Sequence, residues 1–442
     1  MFAFAFPFPS GLRSARRLPI LLGLAFACAI FGSHAQPTLT LDQALRAAQD
    51  RSRQLLAQDA AALASREMAV AAGQRPDPTL KVGINNLPVN GADRFSLSRD
   101  FMTMRSVSLM QEITRGDKLK ARSARFDREA EAAEAARALA LANLRRETAM
   151  AWLDRYFQEQ MLSALRAQRT EADLQVEAAD AAYRGARGAQ ADVFAARSAV
   201  AMIDDRLLQT ERQVATAKTR LARWVGDEAG QSLGVLPPLN AVRLDAAQIE
   251  SQIVHHPEIA LLAKQEDMAR ADADIAQRNQ RADWSVELML SQRGSAYSNM
   301  VSVNLSIPLQ LDPKRRQDRD FSAKLAVVEQ LRAQREEATR EHLAELQNWL
   351  QTWQSDRDRL ARYDSTLIPL AAQRTHATLA AYRGGTGPLG NVLEARRMEI
   401  DTRMDRLRLE MESAALWAQL EYLVPPEQAA TSAERQPAHP EK

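Results

Sequence analysis

The sequence predicts a mostly α-helical fold with a small β part, built from one half-molecule that occurs twice. The main observation is a repeated segment: residues 181–197 read AAYRGARGAQADVFAAR, and residues 380–396 read AAYRGGTGPLGNVLEAR, 199 positions later. The strand-like segment MRSVSLMQEI at 104–113 also has a counterpart, MVSVNLSIPL at 300–309. This period is far longer than the 20–50 residues of solenoid repeats. We therefore predict a duplicated half-molecule in which each structural element is used twice.

The composition favours packed long helices over a thick globular core. Aromatic residues make up only 5% of the chain, and alanine is abundant. The 58 basic and 56 acidic residues nearly balance, which argues against nucleic acid as a partner. Cys28 is the only cysteine and lies in the N-terminal leader. A disulfide scaffold, a zinc-cysteine site and a cysteine nucleophile are therefore excluded for the mature chain.

Residues 1–35 are predicted to be a cleaved export signal that directs the protein to the cell envelope. Three arginines precede an apolar stretch at 18–31, and a small-residue cleavage site ends at Ala35. A lipoprotein is the alternative, with Cys28 as the lipidated residue. The bulky Phe26 just before that position fits this alternative poorly.

The first repeat, residues 36–240, is predicted to contain a helix, two strands and a long helical hairpin. Thr40 and Gln43 form a capping box that begins the first helix. The longest proline-free segment would span about 100 Å as a helix, at about 1.5 Å per residue. The predicted elements are a helix over 40–73, strands over 80–85 and 105–113, and helices over 117–184 and 192–224.

The second repeat, residues 241–424, is predicted to follow the same order. Its first helix is interrupted near Pro257, and Pro425-Pro426 ends its last helix. The tail over 425–442 is predicted to be disordered. The predicted elements are a helix over 246–279, strands over 284–292 and 300–309, and helices over 314–382 and 391–422. Apolar stripes are predicted on the last two helices, at Leu343, Leu346, Leu350 and Trp353 and at Met404, Leu407, Met411, Ala414 and Ala418.

The predicted strands are apolar on one face and polar on the other. This alternation over about ten residues is typical of a membrane β-barrel wall, although an ordinary half-buried sheet also shows it. Four strands cannot close a barrel, since closed forms use about eight or more, and hydrocarbon leaves no strand edge open. Several copies would therefore have to share one barrel. The predicted lipid-facing residues are Val286, Leu288, Leu290, Val301, Val303, Leu305 and Ile307.

This order of elements resembles the TolC family of outer-membrane efflux factors over essentially the whole mature chain. The loop segments LPVNG at 87–91 and RDFMTMRSV at 99–107 are most similar to the heavy-metal efflux branch, the CzcC/CusC-like proteins. The resemblance rests on the two YRG segments, LTLDQAL at 39–45, PDPTL at 76–80, QEITRGDKLKAR at 111–122 and SIPLQLDPKRR at 306–316.

The resemblance implies a homotrimer with a twelve-stranded outer-membrane β-barrel, continuous with a long periplasmic α-helical barrel. It implies a passive gated exit duct in a tripartite efflux system. The partners would be a periplasmic adaptor (a membrane fusion protein), an inner-membrane pump of the RND type and outer-membrane lipid. Metal cations are the first expectation for the cargo. Drug or small-molecule efflux, or type I secretion, is the alternative, and the resemblance implies no cofactor.

The resemblance also implies that the two glycine-containing turns are periplasmic tips, where the adaptor docks. The alternative is that these glycines only serve the turns. In the first repeat, the glycine stands at Gly185 rather than where Ala186 stands. The implied docking residues are Gly185, Gly188, Gly384, Gly385 and Gly387.

Four further residues match the family's periplasmic gate by motif position. Asp192 and Tyr382 match gate residues, and Asn391 and Glu394 stand where some members have pore-facing aspartates. Because Asn391 is uncharged, only Glu394 could supply a ring of charge, unless it is simply a solvated carboxylate. Gly387 replaces the arginine that pairs with the gate aspartate in some members, so the closing contacts should differ.

No catalytic, cofactor or metal site is predicted. Neither an HExxH motif nor a phosphate-binding glycine loop occurs. His255 and His256 are adjacent and cannot share a helix face; just before Pro257, they fit a turn that joins helices. An enzyme is therefore disfavoured. The rival of another class is a periplasmic coiled-coil adaptor or tether, which would explain the helices but not the paired strands.

Overall fold

The computed structural model describes residues 38–243 and 252–423. The predicted export signal with its alternative lipidation site lies outside the described residues. The predicted disordered tail over 425–442 and the start of the helix predicted from 246 lie outside them as well.

The first repeat forms a broken helix, two longer strands and a helical hairpin. The short strands β1 and β4 pair in parallel and bring its two ends together. Its helices are α1 (Leu41–Arg51), α2 (Arg53–Ala72), α3 (Gly116–Arg184) and α4 (Gln190–Val225), and its strands are β1 (Thr38–Leu39), β2 (Thr79–Asn85), β3 (Met104–Ile113) and β4 (Ser232–Leu233).

The second repeat follows the same order. Its first helix begins at a proline, whose fixed φ and missing N–H suit the first helical position. Its elements are α5 (Pro257–Asn279), β5 (Trp284–Gln292), β6 (Met300–Ser306), α6 (Gln317–Arg362), α7 (Ile368–Arg383) and α8 (Leu389–Glu421). Within residues 38–243 and 252–423, every helix is too short or too polar to cross a lipid bilayer.

The single helix predicted over 40–73 is in fact two helices, broken at Ser52. The backbone of Ser52 is extended, at φ −68° and ψ 109°. Its hydroxyl accepts a hydrogen bond from the backbone N–H of Leu55 at 3.3 Å. Serine is a favoured N-cap because it satisfies a backbone donor that has no partner inside the helix. The same residue therefore ends α1 and begins α2.

Two prolines change the strand predicted over 300–309 and the helix predicted over 314–382. The helix predicted over 314–382 begins at Gln317 and contains a π-helical turn, Tyr363–Leu367, just before Pro369. Proline has no N–H and clashes with the preceding turn, which accounts for the wider turn. Strand β6 ends at Ser306 rather than at Leu309, because Pro308 cannot donate to a strand ladder.

The largest apolar cluster joins both repeats around α3. The indole N–H of Trp152 donates to the carbonyl of Leu39 at 2.9 Å. The buried guanidinium of Arg155 donates to the carbonyls of Ala229 and Gln231, each at 2.8 Å. The apolar stripes predicted on α6 and α8 are confirmed, since their residues contribute to this cluster. Its members include Trp152, Phe157, Leu221, Leu346, Leu350, Trp353, Met404, Ala414, Trp417 and Ala418.

Candidate functional site: the four-stranded sheet and two helix turns

The two repeats together form one antiparallel sheet in the order β2-β3-β5-β6. Strands β3 and β5 join the repeats, with Val107 opposite Leu290 and Leu109 opposite Leu288. Because successive side chains point to opposite faces, this register places the apolar side chains of all four strands on one face. The sheet thus has a continuous apolar face contributed by both halves of the chain.

The apolar face is uncovered in the single chain. Ten of its apolar residues are between 47% and 75% exposed, which is unusual for an apolar patch of this size. Val286 is half-buried, and Ile307, predicted to lie on this face, is exposed just after the end of β6. The exposed strand residues are Leu80, Val82, Ile84, Val107, Leu109, Leu288, Leu290, Val301, Val303 and Leu305.

The opposite face of the sheet is polar and carries a hydrogen-bonded network. The carboxylate of Glu287 accepts from Lys81 Nζ at 3.2 Å, from Ser108 Oγ at 2.6 Å and from Asn304 Nδ2 at 3.5 Å. Each of the four strands contributes one of these residues. The polar face therefore keeps its charges paired, whereas the apolar face has no polar group at its centre.

A buried ion pair fixes the passage from sheet to helices. Lys118, in the first turn of α3, places its Nζ 2.9 Å from the Oδ2 of Asp283, which immediately precedes β5. The other carboxylate oxygen of Asp283 accepts from the backbone N–H of Arg115 at 3.2 Å. Both side chains of the pair are largely buried. The start of α3 is therefore held against the start of β5, across the repeat boundary.

The two helical-hairpin turns have the same hydrogen bonds, 199 residues apart. In the first turn, the N–H of Ala186 donates to the carbonyl of Tyr183 at 3.0 Å, and the N–H of Arg187 to that of Ala182 at 2.8 Å. In the second, the N–H groups of residues 385 and 386 donate to the carbonyls of residues 382 and 381 at 3.0 and 2.9 Å. This pair of bonds defines the Schellman motif, which requires a left-handed residue after the helix.

Only one of the two left-handed positions is a glycine. Gly385 has φ 70°, and Ala186, at the equivalent position, has φ 55°. Gly185 and Gly384 have φ near −80°, which any residue adopts. The one-residue offset that the sequence shows in the first repeat therefore leaves an alanine in the strained conformation.

Two other glycines allow the helices of each hairpin to approach closely. A Cβ atom on Gly188 would lie 3.2 Å from the Cβ of Ala182, and one on Gly387 would lie 3.3 Å from the Cβ of Ala381. Both distances are shorter than ordinary van der Waals contact. These glycines thus have a structural role in the turns that does not depend on a partner.

The two turns pack side by side through a small apolar cluster. The cluster contains Val193 of α4 and Val392 of α8, and Tyr382 packs against it. Asp192 is half-buried, and its carboxylate accepts from the backbone N–H of Ala189 at 3.3 Å. Of the predicted gate residues, these two are therefore engaged within the chain.

The other two predicted gate residues are solvent-exposed. Asn391 lies in the first turn of α8, and the side chain of Glu394 is 60% exposed. Glu394 has a long contact of 3.9 Å with the guanidinium of Arg374 on α7. The sequence did not indicate Arg374 as a neighbour of Glu394, because the two residues lie on different helices and 20 positions apart.

Comparisons with known proteins identify the fold. No family model matches the chain, and no curated protein sequence matches it. Solved structures do match: the outer membrane protein VceC from Vibrio cholerae has a TM-score of 0.71 and 18% identity, covering 87% of this chain and 95% of its own. The outer-membrane channel OprN has a TM-score of 0.72 and 16% identity, covering 87% and 89%. The chain has the fold of outer-membrane channels.

The comparison with CusC tests the narrower resemblance to the heavy-metal branch. CusC, whose structures describe transmembrane channel formation, has a TM-score of 0.71 and 15% identity, covering 88% of this chain and 93% of its own. Its TM-score and identity do not exceed those of VceC and OprN. The fold is therefore common to all three channels and does not distinguish the branch.

Proposed function

We propose that this protein is the outer-membrane channel component of a tripartite efflux system, a passive exit duct for substrates that an inner-membrane pump delivers. The observation that carries the proposal is the exposed apolar face shared by β2, β3, β5 and β6. A sheet that faced water with this surface would be prone to aggregation. The same surface is suited to lipid, and the polar network around Glu287 is suited to a water-filled lumen.

The sheet edges support a homotrimer. Strands β2 and β6 are the outer strands of the sheet, and each would leave unpaired N–H and C=O groups in hydrocarbon. Three copies would close a twelve-stranded barrel and pair every edge. Exposed apolar side chains on the helices also call for lateral packing. They include Leu56, Leu63 and Val70 on α2, Leu174 on α3, and Phe194 and Leu208 on α4.

The helices provide the length for a periplasmic duct. Helix α3 has 69 residues, so it spans about 100 Å at about 1.5 Å per residue. We place the sheet in the outer membrane and the Schellman turns at the far periplasmic tips. The docking surface for a periplasmic adaptor would comprise Gly185, Gly188, Gly384, Gly385 and Gly387, and the gate would comprise Asp192, Tyr382, Asn391 and Glu394.

The proposed cargo is metal cations, since two loop segments resemble the heavy-metal branch and the pump would then be of the RND type. Drug or small-molecule efflux and type I secretion are the alternatives, because the channel fold accepts cargo that its partners select. The chain would have no enzymatic role. A periplasmic tether, the rival of another class, does not account for the apolar face of the sheet.

Single-channel conductance in planar bilayers tests the proposal. We expect stable small-conductance pores from the purified protein and weaker cation selectivity for Glu394→Gln, because three carboxylates would line the tip of a trimer. Glu337→Gln, which removes an exposed carboxylate from α6, is the matched control and should leave selectivity unchanged. If protein extracted from outer membranes gives no conductance even with Asp192→Ala to loosen the tips, the tether becomes the better account.

A further inference from the structure

A cluster of two imidazoles and one carboxylate lies where α5 begins against α6, away from the sheet and the turns. His256 immediately precedes α5, Glu258 is in its first turn, and His342 lies on α6. One potential ligand atom from each of the three residues lies within 4.8 Å of the others. His342 is 84 positions from Glu258 in the sequence. Only the packing of α5 on α6 brings the two together.

The His342 ring is held between two carboxylates. Its Nε2 lies 3.0 Å from the Oε2 of Glu258, and its Nδ1 lies 3.3 Å from the Oε2 of Glu345, one turn along α6. A histidine whose Nδ1–H is held by a carboxylate presents its Nε2 to a metal ion in many protein sites. Glu345 therefore orients His342 toward Glu258.

His256 is 7% exposed and lies beside His342, with a ring-centroid distance of 4.2 Å. Its burial, with smaller contributions from His342 and Arg146, lowers the pKa of His256 to about 4. The Nδ1 of His256 accepts from the backbone N–H of Glu258 at 3.3 Å. A cation would replace this long bond, because a ring bound through Nδ1 uses that lone pair and a neutral ring bound through Nε2 carries its proton on Nδ1.

We propose that His256, Glu258 and His342 bind one divalent transition-metal cation of the zinc class. Two imidazoles and one carboxylate form a known zinc ligand set, with a fourth position left for water. The cation would take the place of the hydrogen bond between His342 Nε2 and Glu258. Bonds of about 2.0–2.1 Å require ligand atoms about 3.3 Å apart. The 3.0 Å between His342 Nε2 and Glu258 Oε2 is already within this spacing, whereas ligand atoms up to 4.8 Å apart would have to converge.

The surrounding charges favour a cation. Glu258 and Glu345 together supply two negative charges near the His342 ring, and Arg146 supplies one positive charge near His256. The bound ion would tie the first turn of α5 to α6, near the start of the second repeat. This role is separate from the proposed channel, and it does not require that metals be the cargo.

Cobalt titration of the purified full-length protein, without a histidine tag, tests the site. We expect one Co²⁺ per chain with d–d absorption of a low-coordinate nitrogen–oxygen site, displaced by Zn²⁺. His342→Ala, His256→Asn and Glu258→Gln should weaken binding by at least about 10-fold, and Glu345→Gln by about 10- to 100-fold. His255→Ala and His376→Ala remove exposed histidines outside the cluster and should change nothing.

Two results would overturn the site. The first is that the wild-type protein binds Co²⁺ and Zn²⁺ no more tightly than about 1 mM. The second is that binding survives in His256→Asn and His342→Ala with unchanged affinity. Glu345→Gln keeps all three ligands and the His256 cap of α5, so it tests the site even if a ligand variant fails to fold. Calorimetric melting with and without Zn²⁺ checks the folding of each variant.

Discussion

The most discriminating perturbation of the sheet is Val303→Arg. Val303 is at the centre of β6, 70% exposed, and lies opposite Leu288 between the exposed side chains of Val301 and Leu305. In a membrane barrel, an arginine at the bilayer midplane costs about 2–4 kcal/mol. A trimer carries three copies, so the assembled channel would lose about 6–12 kcal/mol if the three sites act independently.

If the apolar face lay in water instead of lipid, the expected change in stability would be much smaller. If the apolar face met water, a substitution at so exposed a position would change the free energy of unfolding by no more than about 0.5 kcal/mol. Asn304→Arg is the matched control, because it places the same side chain one residue away on the polar face, beside the carboxylate of Glu287. Only the first change would put a charge into lipid.

Refolding from urea into lipid vesicles measures the difference. The folded fraction, read from heat-modifiable migration on gels, should fall steeply for Val303→Arg and stay close to wild type for Asn304→Arg. Fractionation of cells should show the same order in the outer membrane. Equal folded fractions for the two variants would refute the assignment of this face to lipid.

Three further predictions concern the turns and the helical part. Gly385→Ala should lower the free energy of unfolding by about 1 kcal/mol, because φ is positive at this position. Ala186→Gly should leave the free energy of unfolding unchanged or raise it. Chemical denaturation measures both variants, and the reverse order of stability would contradict the Schellman geometry. Asp283→Ala should cost about 3 kcal/mol by leaving Lys118 buried without its partner, and the added change Lys118→Met should recover most of it. The pKa of Glu131 is lowered, chiefly by the hydrogen bond from a lysine on α5. Its stabilisation is therefore present above the ordinary glutamate pKa and is lost as the pH falls through the folded value, so Glu131→Gln should reduce the drop in melting temperature between pH 5.5 and 3.5.

Much of the secondary structure followed from local patterns. The alternation in β5 and β6, the proline-free run of α3 and the apolar stripes on α6 and α8 all correspond to elements of the fold. The breaks were harder to predict. Ser52 interrupts a segment that has no proline or glycine, and serine is tolerated inside helices as well as at their ends. Its role as a cap depends on how α1 and α2 pack.

The sequence predicted the apolar face of the sheet but not the hydrogen-bonded network on its polar face. The apolar phase of β5 and β6 was readable, and β2 carries the same phase at Leu80, Val82 and Ile84, although it was not assigned to lipid. The network around Glu287 could not be predicted from the sequence, because Lys81 and Glu287 are 206 positions apart. Nothing local to either residue indicates that the two strands have β3 between them.

The histidines show most clearly the difference between what local sequence predicts and what tertiary packing decides. Their order along the chain excluded a shared helix face for His255 and His256, and the structure indeed leaves one exposed and buries the other. Only the packing of α5 on α6 brings His342 and its carboxylates to the buried ring.

The sequence by itself determined the duplication, the helical and strand periods and the two equivalent turns, because each depends on contacts between residues close in the chain. The tertiary structure decided which polar groups meet, which face of the sheet is left uncovered and where an alanine takes the strained angle of the turn. Those features depend on the burial and register of segments far apart in the chain, and short-range periodicity carries no information about them.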